Sequence, residues 1–97
     1  MKTLAEFQTS LANELPDHGF SAQLLSLWYD GKGNWQKAHA QVDNLPDTAS
    51  AWVHAYLHRK EGDLTNAEYW YRKAGKQRPE VSIQEEWTEL VDHFLHG

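Results

Sequence analysis

Gly62-Asp63-Leu64-Thr65-Asn66-Ala67-Glu68-Tyr69-Trp70-Tyr71-Arg72-Lys73-Ala74, with Pro79 five residues on, is the stretch that decides the fold. Gly62-Asp63 reads as a turn running into an N-cap, because an aspartate side chain accepts the otherwise unpaired amides of a first helical turn. Ala67, Tyr71 and Ala74 follow at spacings of four and three, which puts them on one helix face. Gly75 supplies a stop, and Pro79 bars continuation into the next helix.

The same punctuation occurs 29 residues earlier. Gly33 matches Gly62, Asn34 matches Asp63, Trp35 matches Leu64, Ala38 matches Ala67 and Val42 matches Tyr71. Both copies read Gly-[Asn/Asp]-apolar-x-x-Ala. Leu25-Ser26-x-x-Tyr29 precedes the first turn, and His54-Ala55-x-x-His58 precedes the second. Self-similarity at a fixed period marks a repeat architecture.

These residues resemble the tetratricopeptide repeat, whose second half carries a turn, a small residue, an aromatic four later, a second small residue and an exit proline. The likeness covers roughly residues 21–79. It departs from the family in its spacing of 29 rather than 34, in the early Pro46, and in His54 and His58, which stand where the family has apolar or aromatic residues. The resemblance implies stacked antiparallel helical hairpins. It also implies a shallow groove lined by the first helix of each hairpin.

Caps and breakers divide the 97 residues into six helices and no strand. Thr3-x-x-Glu6 is a capping box before Leu4, Phe7, Leu11 and Leu15, with Pro16 and Gly19 as terminators. Ser21 opens a second helix that ends at Gly31 and Gly33. Asn34 caps a third that carries Trp35, Ala38, Val42 and Leu45 up to Pro46. A fourth starts at Asp47 or Thr48 and runs to Lys60. The fifth runs from Asp63 to about Ala74. Ser82-x-x-Glu85 is a second capping box, opening a helix with Ile83, Trp87, Leu90, Val91, Phe94 and Leu95. The expected fold is an all-α, six-helix, tetratricopeptide-like array forming one domain. It divides into a capping helix over 1–20, hairpins over 21–46 and 47–79, and a capping helix over 80–97 expected to cover the open side of the fifth helix. Of the five tryptophans, Trp28, Trp35, Trp70 and Trp87 are each expected to anchor a helix contact, with Trp52 the exception.

Composition narrows the function. A net charge of −5 argues against nucleic-acid binding. No apolar run approaches the roughly 20 residues of a membrane span. With no cysteine, thiolate chemistry and disulfides are excluded. Met1-Lys2-Thr3 leads into an amphipathic stretch rather than a secretory signal, so the expectation is a soluble, cytoplasmic chain. No nucleophile elbow or phosphate loop is present, and the expectation is a protein that is not an enzyme and carries no cofactor. Six of the nine basic residues, Arg59, Lys60, Arg72, Lys73, Lys76 and Arg78, lie in the second hairpin, and the acidic last segment is expected to pack near them.

The likeness maps a partner-binding surface onto Trp52, Tyr56, Arg59 and Lys60 in the second unit and onto Gln23, Leu27 and Asp30 in the first. Trp52, Tyr56, Arg59 and Lys60 share one helix face, and aromatics beside arginine are the usual anchors of interfaces. The expected partner is a protein or peptide, acidic or carboxylate-ended, bound weakly by a monomer or weak homodimer. The alternative is that Trp52 and Tyr56 pack beneath the last helix, whose acids then pair with Arg59 and Lys60.

His54 and His58 carry a second functional reading. Four residues apart on a helix, their imidazoles stack on one face, as in zinc sites. A third ligand must come from elsewhere, with Asp30, His39 and Asp43 as the candidates. Buried structural histidines and exposed bystanders are the competing readings. The apolar stripe Ala49, Trp52, Val53, Tyr56 and Leu57 lies on a different face from Ala51, His54, Ala55 and His58, so this helix is either contacted on several sides or read one residue out of register.

Overall fold

The computed structural model describes residues 2–96 and contains six helices: α1 Leu4–Ser10, α2 Ala22–Gly31, α3 Trp35–Ala40, α4 Thr48–Glu61, α5 Leu64–Ala74 and α6 Ile83–His96. No strand occurs among the described residues. The class is all-α, as the caps and breakers dictate.

Local chemistry fixes the boundaries. Thr3 and Glu6 exchange backbone and side-chain bonds across the first turn of α1, completing a capping box. Ser21, Asn34, Asp47 and Asp63 cap α2 to α5 through their side-chain oxygens. At α6 the box forms differently. Ser82 Oγ accepts from Glu85 N and donates to the Glu85 carboxylate, so the two side chains satisfy each other. Gly62 and Gly75 end α4 and α5 at φ of +90° and +72°, the left-handed conformation that a side chain would strain.

Two helices are shorter than their apolar patterns suggest. α1 stops at Ser10, and Leu15, expected on its buried face, is 75% exposed. The Ser10 hydroxyl turns back onto Phe7 O and also accepts from the Trp28 indole N–H. Lys32 Nζ then takes the Leu11 and Asn13 carbonyls beyond the helix end. α3 stops at Ala40, and Val42 reaches the core from the following turn while Leu45 is exposed.

Successive helices pair as the hairpins α2/α3 and α4/α5, while α6 lies across α2 and α4 and meets α1. The expectation that α6 would cover the open side of α5 is therefore corrected. Its stripe of Trp87, Leu90 and Val91 enters the main core with Phe7, Leu27, Trp28, Val53, Tyr56 and Leu57, and the Trp87 indole donates to Leu27 O. The reason is area. α2 and α4 each present apolar side chains beyond what α3 and α5 cover, and the stripe of α6 buries them. Helix α4 is enclosed on several sides, with Ser50, Ala51 and every residue from Val53 to His58 buried. Both of its faces are covered, which explains its double pattern without a shift of register.

A three-histidine centre and a buried carboxylate cleft

The turn over Lys32–Asn34 folds the short helix α3 back along α2, and α3 also packs on α4. His39 of α3 thereby meets His54 and His58 of α4, and one ring nitrogen from each lies within 4.8 Å of the others. His39 Nε2 and His54 Nε2 are 2.9 Å apart. His54 and His58 are buried, and the His39 side chain is a quarter exposed. Of the three candidate third residues, His39 is the one that joins the pair. Asp43 stands behind it, with Oδ2 3.7 Å from His39 Nδ1, and Asp30 belongs to a separate cluster.

Aromatic walls hold the rings. Trp70 of α5 stacks on His54 at 4.0 Å between centroids, and Trp35 stacks on His39 at 4.9 Å. The Trp35 indole donates to Leu57 O, fixing that wall to α4. His58 donates its Nδ1 proton to Glu61 Oε1 at 2.6 Å, which leaves the Nε2 lone pair free. A carboxylate on one imidazole nitrogen fixes the tautomer and raises the basicity of the other.

Protons are poorly received here. Burial pushes the His54 pKa down to about 4, and charge on His39 or His58 would lower it further. His39 is lowered by burial first and by His58 second. His39 and His54 are thus held toward the neutral form, the one that keeps lone pairs. Hydrogen bonding within the protein does not satisfy the cluster: His54 Nδ1 is buried with no partner. An unpaired buried polar atom costs about 1–3 kcal/mol, and such exceptions concentrate where a fold serves a site.

The seven residues of the expected partner surface fall differently. Leu27, Tyr56 and Asp30 are buried. Tyr56 donates its hydroxyl to Asp30 Oδ2 at 2.6 Å, and Lys60 Nζ donates to Asp30 Oδ1 at 2.8 Å. Arg59 donates to Glu86 Oε1 at 2.8 Å and to Val81 O, while the Tyr71 hydroxyl donates to Glu86 Oε2 at 2.6 Å. Trp52 packs against His93 and Phe94 of α6, and Gln23 bonds Ser50 and Asp47 at the cap of α4. The side of α2 and α4 expected to form the groove is packed against α6, so the seven residues do not form one continuous groove. What remains is a cavity of about 320 Å³ where α1, α2, α4 and α6 meet, lined by Asp30, Tyr56 and Lys60 together with Gln8, Gln84 and Trp87.

Two buried carboxylates, Asp30 and Glu86, are each held by one tyrosine and one cation. Burial raises the pKa of both tyrosines, and the adjoining carboxylates add to it. Sequence reasoning placed Glu86 in a general acidic run. Its spacing one residue before Trp87, on the edge of the apolar stripe, is the signal that it turns inward. The chain matches no family model, and neither a curated protein nor a solved structure is similar enough to identify a relative.

Proposed function

We propose that this protein binds one divalent transition-metal ion through His39, His54 and His58. The observation that carries the reading is the convergence of one ring nitrogen from each of three histidines, two on α4 and one on α3. Imidazole suits zinc, copper, nickel and cobalt, whereas magnesium and calcium take oxygen ligands. Zinc–nitrogen bonds of about 2.0–2.1 Å imply ligand–ligand edges of about 3.3 Å in a tetrahedral site. One pair of nitrogens stands at 2.9 Å and all three lie within 4.8 Å of one another, so a bound ion would need the rings to adjust to those edges. Glu61 behind His58 and Asp43 beside His39 supply the carboxylates that such ligands usually have. The test is metal content after purification, followed by titration with Zn²⁺. One equivalent bound by the wild type and lost in His54→Ala supports the reading. No uptake by a correctly folded wild type removes it.

A second reading keeps the protein-interaction role that the tetratricopeptide likeness implies. The cavity beside Lys60 favours it, because Lys60 spends one of its three donors on Asp30 and lines the cavity together with Gln8 and Gln84. A carboxylate-ended segment suits that mouth. Arg59 is tied to Glu86 inside the protein, so its substitution tests folding rather than recognition. The informative variant is Gln84→Glu on the exposed rim. Loss of a partner that the wild type retains supports this role, and an unchanged set of partners removes it.

A further inference from the structure

Asn66 stands one turn into α5, its amide bound to the cap Asp63, and its side chain turns toward α4. The Asn66 Nδ2 atom lies 3.4 Å from His58 Nε2, the nitrogen that the His58–Glu61 bond leaves with a free lone pair. That contact is long for a hydrogen bond. It equals the edge between two ligands of a tetrahedral zinc site, which bond lengths of about 2.0–2.1 Å set at about 3.3–3.4 Å. A half-turn of the carboxamide exchanges its nitrogen for its oxygen at nearly the same position. Oxygen opposite a bare imidazole nitrogen is repulsive in the metal-free protein. With a cation between them, both atoms become ligands.

We propose that Asn66 Oδ1 completes the coordination sphere, so that the ion is a closed clasp joining α3, α4 and α5. This rests on the three-histidine reading and deepens it. A metal with three protein ligands and a water has a reactive open position, whereas four protein ligands make a structural site. The surroundings fit a closed site. Trp70 covers His54 on the α5 side and Trp35 covers His39 on the α3 side. Helices α3 and α5 belong to different hairpins, and α4 runs between them. Coordination by His39, His54, His58 and Asn66 would bind all three helices to one point. It would tie the six-residue α3, too short to be stable alone, to the 14-residue α4. The ion then acts on the protein's own stability, and its loss loosens one corner of the fold.

Asn66→Ala and Asn66→Asp separate this inference from the reading beneath it. Asn66 is part-buried and makes no short side-chain bond, so both variants are expected to keep the far-UV circular dichroism of the wild type. Titration with Zn²⁺ should weaken tenfold or more in Asn66→Ala, while Asn66→Asp, which offers a carboxylate oxygen at the same reach, should retain or exceed wild-type affinity. Co²⁺ supplies a second readout. A closed sphere leaves the visible spectrum of the wild-type cobalt protein unchanged on adding azide, whereas azide should alter that of Asn66→Ala. Wild type that takes up neither Zn²⁺ nor Co²⁺ overturns the three-histidine reading itself. Uptake at equal affinity in wild type and Asn66→Ala, with azide perturbing both, leaves that reading standing and overturns the closed sphere.

Discussion

His39 and His54 meet Nε2 to Nε2 at 2.9 Å, two nitrogens of which at most one brings a proton to the contact in the neutral state. The pair joins α3 to α4 across 15 residues of sequence, and His54 has no partner for its other nitrogen. A ring packed this way resists protonation, because burial strips its charge of water and its Nδ1–H would have no acceptor.

Stability of the metal-free protein should therefore fall in mild acid. His54 titrates near 6.5 when unfolded and at about 4 when folded, so the unfolded chain binds more protons between those values. The stability is complete above about pH 6.5 and declines as pH falls toward about 4, and His39 contributes in the same direction. The thermal midpoint should drop by several degrees between about pH 7.5 and about pH 5. His54→Phe, which keeps a ring against Trp70, should flatten that dependence. Equal slopes for wild type and variant would contradict the role given to His54.

Trp87→Ala should cost about 3–5 kcal/mol in chemical denaturation. The side chain is buried, touches Phe7, and donates its indole proton to Leu27 O. A loss under about 1 kcal/mol would mean that α6 does not seal the concave side of α2 and α4 in solution.

Arg59→Ala should destabilise by about 3–5 kcal/mol, because it leaves the Glu86 carboxylate buried without its cation. Tyr71→Phe removes one bond from the same carboxylate and should cost about 1.5–3 kcal/mol. Adding Glu86→Gln to Arg59→Ala should recover part of the loss. If the double variant is no more stable than Arg59→Ala, the penalty is one of packing rather than charge.

Gly31→Ala tests the closeness of α1 and α6 over the end of α2. An added Cβ would stand 3.0 Å from both Leu11 methyl carbons and 3.2 Å from Trp87 Cζ2. Leu11 can turn aside, but the buried indole cannot. The expected cost is about 1–3 kcal/mol by denaturant midpoint, and a stabilising effect would show that the helices are free to part.

The residues that set helix ends were legible because caps and breakers act within three or four positions. Asp63 and Gly75 bound α5 where the Gly62–Ala74 motif puts them. The ends of α1 and α3 were not, since Leu11, Leu15 and Leu45 continue the apolar period while tertiary bonds from Trp28 and Lys32 terminate α1. At the candidate site, the i, i+4 pair His54 and His58 was readable from spacing alone. The choice of His39 over Asp30 and Asp43 was not, because it depends on how the α2/α3 hairpin lies against α4. Glu61, Asn66 and Trp70 have ordinary helix-surface spacing, and only their approach to the imidazoles distinguishes them. The partner surface drawn on Trp52, Tyr56 and Arg59 met a competitor for the same faces, the apolar stripe of α6.

The most direct test of the metal reading is calorimetric titration of the metal-free protein with Zn²⁺, beside His39→Ala. His39 is the least buried of the three histidines, so its truncation is expected to leave the α4 pair and the core intact. One equivalent of Zn²⁺ bound at micromolar affinity or tighter by wild type, with a loss of tenfold or more in a folded His39→Ala, is the result predicted. Equal titration curves for the two proteins, or no heat of binding in either, would contradict it.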